Sequence, residues 1–141
     1  EWMQENGLLD VTRLTVADLL ARRPAAQPTL VSVTPASQVR QALNLMSTWG
    51  VSQLPVVDGH EVVGGLTESV LSGKALAQPA LLLQAVREAM DPPFPVVDAT
   101  TPLDHLGTIL ATSAPAAVVR QNGTLIGIVS RHDLLQQLIG R

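Results

Sequence analysis

The phrase Ser130-Arg131-His132-Asp133 contains the residue types of this 141-residue chain that are best suited to binding chemistry. It follows an apolar run and opens the last predicted helix. A serine at a helix start offers a hydroxyl, and the first helical turn adds N–H donors and the positive end of the helix dipole. Asp133 points back over the same turn and can accept two hydrogen bonds from a ribose diol. The phrase therefore predicts a site for a phosphate or another electronegative group, beside a sugar.

The same spacing also has a purely structural interpretation. Ser-x-x-Asp at a helix start resembles a capping box, which satisfies orphan N–H groups without any ligand. Arg131 and His132 have two interpretations as well. Either the pair makes the site basic and favours a nucleotide phosphate, or both side chains extend into solvent from the first turn.

No constellation for catalysis or metal binding is evident elsewhere in the sequence. The chain has no cysteine, and therefore no thiol nucleophile, thiolate zinc site or disulfide. A metal needs three or four convergent ligands, whereas His60, His105 and His132 fall on a hairpin turn, a helix face and a helix start. The single lysine, Lys74, lies in a surface helix with no glycine-rich phosphate cradle nearby. We therefore predict no catalytic residue, no metal and no cofactor bound by this chain.

Composition restricts the partners that the chain can have. Apolar residues make up 46% of it but aromatic residues only 2%, so Leu, Val, Ile and Ala must build the core. The net charge of −3 and the shortage of aromatic residues argue against a nucleic-acid partner. No apolar stretch is long enough to span a bilayer and no basic-then-apolar signal opens the chain, so we expect no membrane partner. The absence of cysteine is consistent with a reducing setting, and we expect a cytoplasmic location.

The sequence contains an internal repeat of roughly sixty residues. Four blocks recur in the same order, which is hard to obtain by chance. The matched blocks are Val16–Leu20 with Val86–Met90, Val31–Val39 with Pro95–Leu103, Leu54–Gly59 with Ala116–Arg120, and Val63–Thr67 with Ile126–Ser130.

Each copy predicts the element order β-α-β-β-α. Ser37 is a candidate N-cap and Gly50 a helix stop, while Asp58-Gly59-His60 and Gln121-Asn122-Gly123 predict tight hairpin turns. One copy alone cannot bury its helices and strands, so we expect a packed pair. The first copy predicts strands Leu30–Val33, Gln53–Val57 and Val62–Leu66, a helix from Val39 and a helix Glu68–Ala77. The second copy predicts strands Pro95–Val97, Ala116–Val119 and Thr124–Val129 and helices Pro102–Ala111 and Arg131–Ile139.

The repeat and its phrases resemble a known family. Gly50–Asp58, which reads Gly-Val-Ser-Gln-Leu-Pro-Val-Val-Asp, and the closing phrase Gly127–Asp133 are similar to the cystathionine-β-synthase (CBS) domain. The resemblance implies an α/β fold, a tandem pair of β-α-β-β-α CBS repeats packed through their sheets with pseudo-two-fold symmetry. The division that it implies is a linker helix over residues 1–12, a first repeat over 13–78 and a second repeat over 79–141.

A narrower resemblance concerns the segments that flank the repeats. Trp2-Met3 with Gly7-Leu8-Leu9 is similar to the linker that leaves the catalytic domain of CBS-like enzymes, which depend on pyridoxal phosphate. Val86–Val97 resembles the inter-repeat linker of the bacterial members. The chain also begins without an initiator methionine. This resemblance implies a regulatory fragment whose partners are a catalytic domain of the same polypeptide, carrying the pyridoxal phosphate, and a second copy in a homodimer.

The resemblance also implies how an adenosine-containing ligand would be held. Ser130 and Asp133, with Arg131 and His132 beside them, would meet phosphate and ribose. Adenine would lie on the start of the first hairpin in the other repeat: the apolar faces of Val51 and Leu54, and the backbone of Ser52 and Gln53. Gln53 as an exposed strand residue and Val51 as ordinary core are the alternatives.

A second, pseudo-symmetric site would use Thr67 and Val70 with Ala114 and Ala116. Val70 stands where Asp133 stands in the second copy. Because valine accepts no hydrogen bond, the loss of a charge-assisted pair would cost about 2–3 kcal/mol. We therefore expect one competent site and one degenerate site.

Two functions remain open at this point. One is a regulatory module that senses an adenosine-containing ligand and modulates an attached pyridoxal-phosphate-dependent enzyme of sulfur-amino-acid metabolism. The narrower resemblance suggests S-adenosylmethionine as its ligand, whereas the basic Arg131-His132 pair suggests AMP or ATP. The other is a structural dimerisation module without a ligand.

Overall fold

The computed structural model describes residues 14–22, 30–112 and 114–139, and the predicted linker helix over residues 1–12 lies outside them. The described chain divides into two compact units. The first unit is Leu30–Phe94, and the second unit combines residues 14–22 with the chain from Pro95 onward. In chain order the elements are α1 (Val16–Ala21), α2 (Val39–Trp49), β1 (Gln53–Asp58), β2 (Glu61–Thr67), α3 (Glu68–Ala77), 3₁₀ turns at Pro79–Leu83 and Val86–Glu88, β3 (Val96–Asp98), α4 (Leu103–Thr112), β4 (Ala116–Gln121), β5 (Thr124–Ser130) and α5 (Arg131–Ile139).

Helix α2 buries one apolar face in the core of the first unit. Val39, Ala42 and Met46 form that face at the predicted 3–4 spacing. Gly50 ends the helix as predicted, with φ of 63° and its N–H donated to the Met46 carbonyl. Glycine adopts this left-handed conformation without the steric cost that a side chain would add.

The predicted N-cap at Ser37 is wrong. Helix α2 begins after Gln38, whose side chain makes no capping hydrogen bond. The Ser37 hydroxyl instead accepts a hydrogen bond from the Thr34 N–H at 3.1 Å, while the Ser37 N–H donates to the Thr34 carbonyl at 3.1 Å. The serine closes the turn that precedes the helix, because short polar side chains bond as readily to a local turn as to a helix start.

The first unit contains the antiparallel hairpin β1–β2. Gln53 pairs with Thr67 at its open end and Asp58 with Glu61 next to the predicted turn. Leu54 and Val56 of β1 are fully buried, so this strand supplies the centre of the core. The hairpin confirms the two strands that the sequence predicted.

The second unit contains a three-stranded sheet of order β3-β4-β5, with β3 parallel to β4 and β4 antiparallel to β5. β4 is buried from Ala116 to Val119, as is typical of a central strand covered on both faces. Asn122 and Gly123 form the predicted hairpin turn with φ of 52° and 79°. The mixed α/β architecture predicted from the sequence is confirmed.

The predicted strand Leu30–Val33 is reduced to one parallel bridge, from Val33 to Val56. In the second unit the corresponding strand β3 is longer, and the Val118 N–H donates to the Pro95 carbonyl at 2.9 Å. The residue equivalent to Val118 in β1 is Pro55, which has no N–H to donate. Pro55 in β1 therefore ends the ladder of hydrogen bonds between β1 and the segment that contains Val33.

The lead-in segment of the first repeat packs in the second unit. The Val16 N–H donates to the Thr101 carbonyl at 2.9 Å, and the Leu103 N–H donates to the Leu14 carbonyl at 3.0 Å. Helix α1 then buries Val16, Leu19 and other apolar side chains in the core of that unit.

The lead-in of the second repeat does the same in the first unit, with equivalent hydrogen bonds. The Val86 N–H donates to the Ser37 carbonyl at 2.7 Å, and the Val39 N–H donates to the Gln84 carbonyl at 3.0 Å. The compact units therefore differ from the two sequence repeats, since each combines the body of one repeat with the lead-in of the other.

The inter-repeat linker covers the edge of β2. Gly65 and Asp91 exchange two backbone hydrogen bonds of 3.0 Å, which protects this strand edge. A Cβ atom on Gly65 would lie 2.9 Å from the buried ring of Phe94. Lys74 in α3 also binds the linker. Its ammonium group donates to the Ala89 carbonyl at 2.9 Å and to the Asp91 carboxylate at 3.4 Å.

Candidate functional site

Ser130 and Asp133 form a capping box at the start of α5. One carboxylate oxygen of Asp133 accepts from the Ser130 N–H at 2.8 Å and from the Ser130 hydroxyl at 3.1 Å. The Asp133 N–H in turn donates to the Ser130 hydroxyl at 3.2 Å. The structural interpretation of this phrase is thus realised, and the carboxylate is fixed over the first turn of the helix.

Arg131 continues this network toward the preceding elements. Its N–H donates to the Pro115 carbonyl at 3.1 Å, and its guanidinium Nε donates to the carbonyl of Leu110 in the last turn of α4. Carbonyls in the last helical turn lack an intrahelical partner, and arginine side chains satisfy them well. Arg131 thus ties α5 to the end of α4, a role that neither interpretation of the Arg131-His132 pair included. His132 is exposed.

The equivalent helix start in the first unit lacks these side-chain bonds. Thr67 precedes α3 without a side-chain cap, and Val70 at the position of Asp133 is 44% exposed. The backbone contact is nevertheless preserved, because the Glu68 N–H donates to the Ser52 carbonyl at 2.8 Å as Arg131 does to Pro115. The two helix starts therefore share a backbone frame and differ in side-chain chemistry.

The adenine-binding residues predicted in the first unit differ in accessibility. The Leu54 side chain is fully buried in the core, so the apolar face predicted for it is not offered to a ligand. Val51 is half-buried and packs against the same core, which supports its interpretation as a core residue. Ser52 is exposed, and Gln53 is half-buried at the start of β1. Val51 and the backbone of Ser52 and Gln53 remain candidates for contact.

Strand register corrects one sequence alignment. Gln53 pairs with Thr67, and Ala116 pairs with Ser130, so Gln53 rather than Leu54 is the counterpart of Ala116. Ala114 is then the counterpart of Val51. Ala114 and Ala116 are both buried in the second unit.

Each unit brings together one half of each predicted site. In the second unit the Ser130 helix start lies against Pro115, in the loop that contains Ala114 and Ala116. In the first unit the Thr67 helix start lies against Ser52, beside Val51 and Gln53. Within each unit, therefore, the helix start predicted to bind phosphate or ribose in one site lies next to the loop predicted to contact adenine in the other site.

Sequence reasoning missed Leu110 and the contact between the Pro115 carbonyl and Arg131. Both act through backbone carbonyls, so their side chains give no signal. One indirect signal was available: α2 is followed by Gly50, whereas α4 is followed by Ser113 and Ala114, with no glycine to close the helix. A helix without such a stop needs a donor for its last carbonyls, and Arg131 supplies one.

Two further carboxylates of the second unit are held by local hydrogen bonds. Backbone and side-chain hydrogen bonds from Thr15 lower the pKa of Asp18, which forms a capping box at the start of α1. Side-chain and backbone hydrogen bonds from Thr100 lower the pKa of Asp98. The Thr15–Asp18 box has the same geometry as the Ser130–Asp133 box, which makes it a useful control.

The described residues form neither a metal site nor a membrane-spanning helix. Residues 14–22, 30–112 and 114–139 contain no group of three or more His, Cys, Asp or Glu side chains arranged to hold a metal ion. Within the same ranges, no helix has the length and apolar character needed to cross a membrane.

Comparison with known proteins places these observations in a family. The family model of the CBS domain matches residues 15–71 and 86–140. Cystathionine beta-synthase from Dictyostelium discoideum is 24% identical over 158 aligned positions, which cover 99% of this chain but 30% of that protein.

Solved structures support the same conclusion. A protein with CBS domains from Burkholderia ambifaria is 29% identical with a TM-score of 0.76, and the match covers 90% of this chain and 95% of that one. The CBS domain pair of protein MJ0100, in complex with 5′-methylthioadenosine and S-adenosyl-L-methionine, is 22% identical with a TM-score of 0.71 and coverages of 90% and 97%. The chain therefore belongs to the CBS domain family and contains a pair of CBS repeats.

Proposed function

We propose that this CBS domain pair binds one adenosine-containing ligand and transmits its occupancy to an attached pyridoxal-phosphate-dependent enzyme. The coarse function, a ligand-sensing regulatory module, follows from the family. The observation that supports the finer proposal most strongly is the Ser130–Asp133 box, which holds a carboxylate over a helix start. The pair regulates by favouring one of two arrangements to which the ligand binds more tightly.

Asp133 is the residue proposed to bind ribose. Its carboxylate is held over the helix start by Ser130. An ionised carboxylate has about four lone-pair sites, so several hydroxyl donors can share it. A ribose diol presents two hydroxyl donors and matches such an acceptor. The counterpart Val70 has no acceptor, so the Thr67 helix start is proposed to be the degenerate site.

Adenine is proposed to contact the loop before β1 in the first unit. Val51 offers an apolar surface that is only half-buried, and the backbone of Ser52 and Gln53 can recognise the edge of the ring. With aliphatic rather than aromatic contacts, the stacking energy is small and we expect weak binding.

The attached enzyme and the ligand are proposed from similarity. The chain spans about 30% of the length of the Dictyostelium cystathionine beta-synthase that it matches, so a catalytic domain upstream in the same polypeptide is part of the proposal. Ligands for testing are S-adenosylmethionine, AMP and ATP, and the MJ0100 domain pair supports including 5′-methylthioadenosine. We also propose a cytoplasmic homodimer.

A structural dimerisation module without a ligand is the second candidate. Large apolar side chains remain exposed near the ends of α3 and α5, with Leu76 84% and Ile139 68% exposed. Such side chains are suited to burial against a second copy. This candidate predicts dimerisation without any effect of adenosine compounds.

Calorimetric titration of the chain with adenosine distinguishes these functions. We expect adenosine to bind, and Asp133→Ala to weaken binding by about 10–100-fold, as the loss of hydrogen bonds to a charged group implies. Asp18→Ala is the matched control, because it removes an equivalent capping box from α1 without touching the site. Equal affinities of wild type and Asp133→Ala would contradict the role of Asp133, and no heat from any adenosine compound would reject the sensor function.

A further inference from the structure

We infer that Met90 is an oxidation site whose modification releases the inter-repeat linker from β2. Met90 lies in the part of the linker, Ala89–Phe94, that runs along the edge of this strand. All the contacts involved lie in the first unit and are independent of the proposed ligand site. Oxidation by a peroxide thus gives the chain a second input, separate from any adenosine compound.

Two adjacent glycines of β2 make room for the linker. A Cβ atom on Gly64 would overlap the Met90 Sδ and lie 2.9 Å from the Met90 Cγ. A Cβ atom on Gly65 would lie 2.9 Å from the Phe94 ring. Because neighbouring residues of a strand point to opposite faces, Met90 and Phe94 lie on opposite faces of β2. The linker therefore contacts the strand on both faces.

The Met90 side chain lies on the core face of β2. Leu66 is two residues after Gly64, so it points to the same face, and it is buried in the core of the first unit. Met90 packs against the same core cluster. The thioether is an apolar group and fits this surface, because its flexible chain fills the space that Gly64 leaves open.

Met90 is the more accessible of the two methionines that the structure describes. The chain has three methionines and no cysteine, so methionine supplies all of its sulfur. Met46 is 2% exposed in the core, whereas Met90 is half-buried at the rim of the core, and Met3 lies outside the described residues. Because oxidation requires the oxidant to reach the sulfur, we expect a peroxide to react with Met90 before Met46.

Oxidation changes the chemistry of the contact with β2. The Met90 sulfur attacks the O–O bond of hydrogen peroxide, gains one oxygen atom and loses two electrons, and the peroxide is reduced to water. The resulting sulfoxide is polar, and a polar group on an apolar core face is unfavourable without a hydrogen-bond partner. The close contact with Gly64 also leaves little room for the added oxygen. We expect the linker to separate from β2, which breaks the two backbone hydrogen bonds between Asp91 and Gly65.

Amide hydrogen exchange of the chain before and after treatment with hydrogen peroxide tests this role, with peptide mass spectrometry to locate the added oxygen. We expect Met90 to oxidise at least 10-fold faster than Met46, and the Gly65 and Asp91 amides then to exchange at least 10-fold faster. The β4–β5 hairpin is the internal control and should keep its exchange rates. Unchanged exchange at both amides after Met90 is oxidised would overturn the inference. Oxidation of Met46 as fast as Met90, or faster exchange throughout β1 as well, would also overturn it.

Met90→Leu and Met46→Leu are matched variants for the same experiment. Leucine keeps a similar apolar volume without the sulfur, so peroxide should change the exchange rates of Met90→Leu by less than about 2-fold. Met46→Leu should respond to peroxide as the wild type does. A methionine sulfoxide reductase should restore the original rates in the oxidised wild type. A peroxide response that persists in Met90→Leu would place the sensitive group elsewhere and overturn the inference.

Discussion

The two units build the same β-hairpin and following helix, yet they fix them by different means. In the second unit, side chains fix the helix ends: Asp133 caps α5, and Arg131 closes α4. In the first unit the backbone does so, since Gly50 closes α2 in a left-handed conformation and α3 has no side-chain cap. The two copies therefore share the backbone contact at the helix start, whereas polar side chains stabilise the helix ends in only one of them.

A second contrast concerns the middle of the outer hairpin strand. Gly65 of β2 has no side chain, and the Phe94 ring of the linker packs closely against it. Its counterpart in β5 is Ile128. Alanine at Gly65 would force the buried ring to shift, and overpacking of this kind costs about 1–3 kcal/mol. Gly65→Ala should therefore lower the free energy of unfolding measured in urea.

Gly73→Ala is the matched control for that variant. Gly73 lies in α3, and a Cβ atom there would have nothing within 4 Å. Alanine is favoured over glycine inside helices by about 0.5–1 kcal/mol, so this variant should gain stability. Equal unfolding midpoints for Gly65→Ala and wild type would show that the linker is not held against β2.

Copying the capping box into the first unit sharpens the comparison between the helix starts. Val70→Asp recreates Thr-x-x-Asp at α3, and a capping side chain is typically worth about 1 kcal/mol. We expect the variant to raise the free energy of unfolding, with Val70→Ala as the control for the loss of an exposed valine. A destabilised Val70→Asp would mean that the backbone at Thr67 cannot accept the box.

The pH dependence of the two units gives the smallest expected effect. Asp18 and Asp98 both lie in the second unit, and hydrogen bonds lower the pKa of each below its ordinary value of 3.8. A lowered folded-state pKa adds stability above the unfolded value, and this stability is lost as pH falls through the folded value. We expect amide protection in the second unit to fall first below about pH 4, and the double variant Asp18→Asn, Asp98→Asn to remove that pH dependence. Earlier loss in the first unit would contradict this assignment.

Local sequence signals predicted the elements that local physics decides. The period of Val39, Ala42 and Met46, the stop at Gly50 and the Asn122-Gly123 turn depend on residues close in sequence, and the structure confirms them. The helix-start phrase and the internal repeat were also visible in the residues themselves, and the family resemblance added the adenine side of the predicted site.

Long-range contacts account for what the sequence did not reveal. Pro55 shortens the strand that contains Val33, which lies more than twenty residues earlier. Arg131 donates to the carbonyl of Leu110 at the end of α4, 21 residues earlier in the chain. The exchange of lead-ins is also non-local, because Val16 and Val86 each find hydrogen-bond partners in the other repeat. Apart from the missing glycine after α4, the sequence around either partner alone does not indicate these contacts.

The stoichiometry of adenosine binding, measured by calorimetry on the chain, tests the central claim most directly. One competent helix start with Asp133 and one degenerate start with Val70 predict a single adenosine per chain, and its binding should be abolished or strongly weakened in Asp133→Ala. Two equivalent sites per chain, or one site that Asp133→Ala leaves intact, would contradict the account.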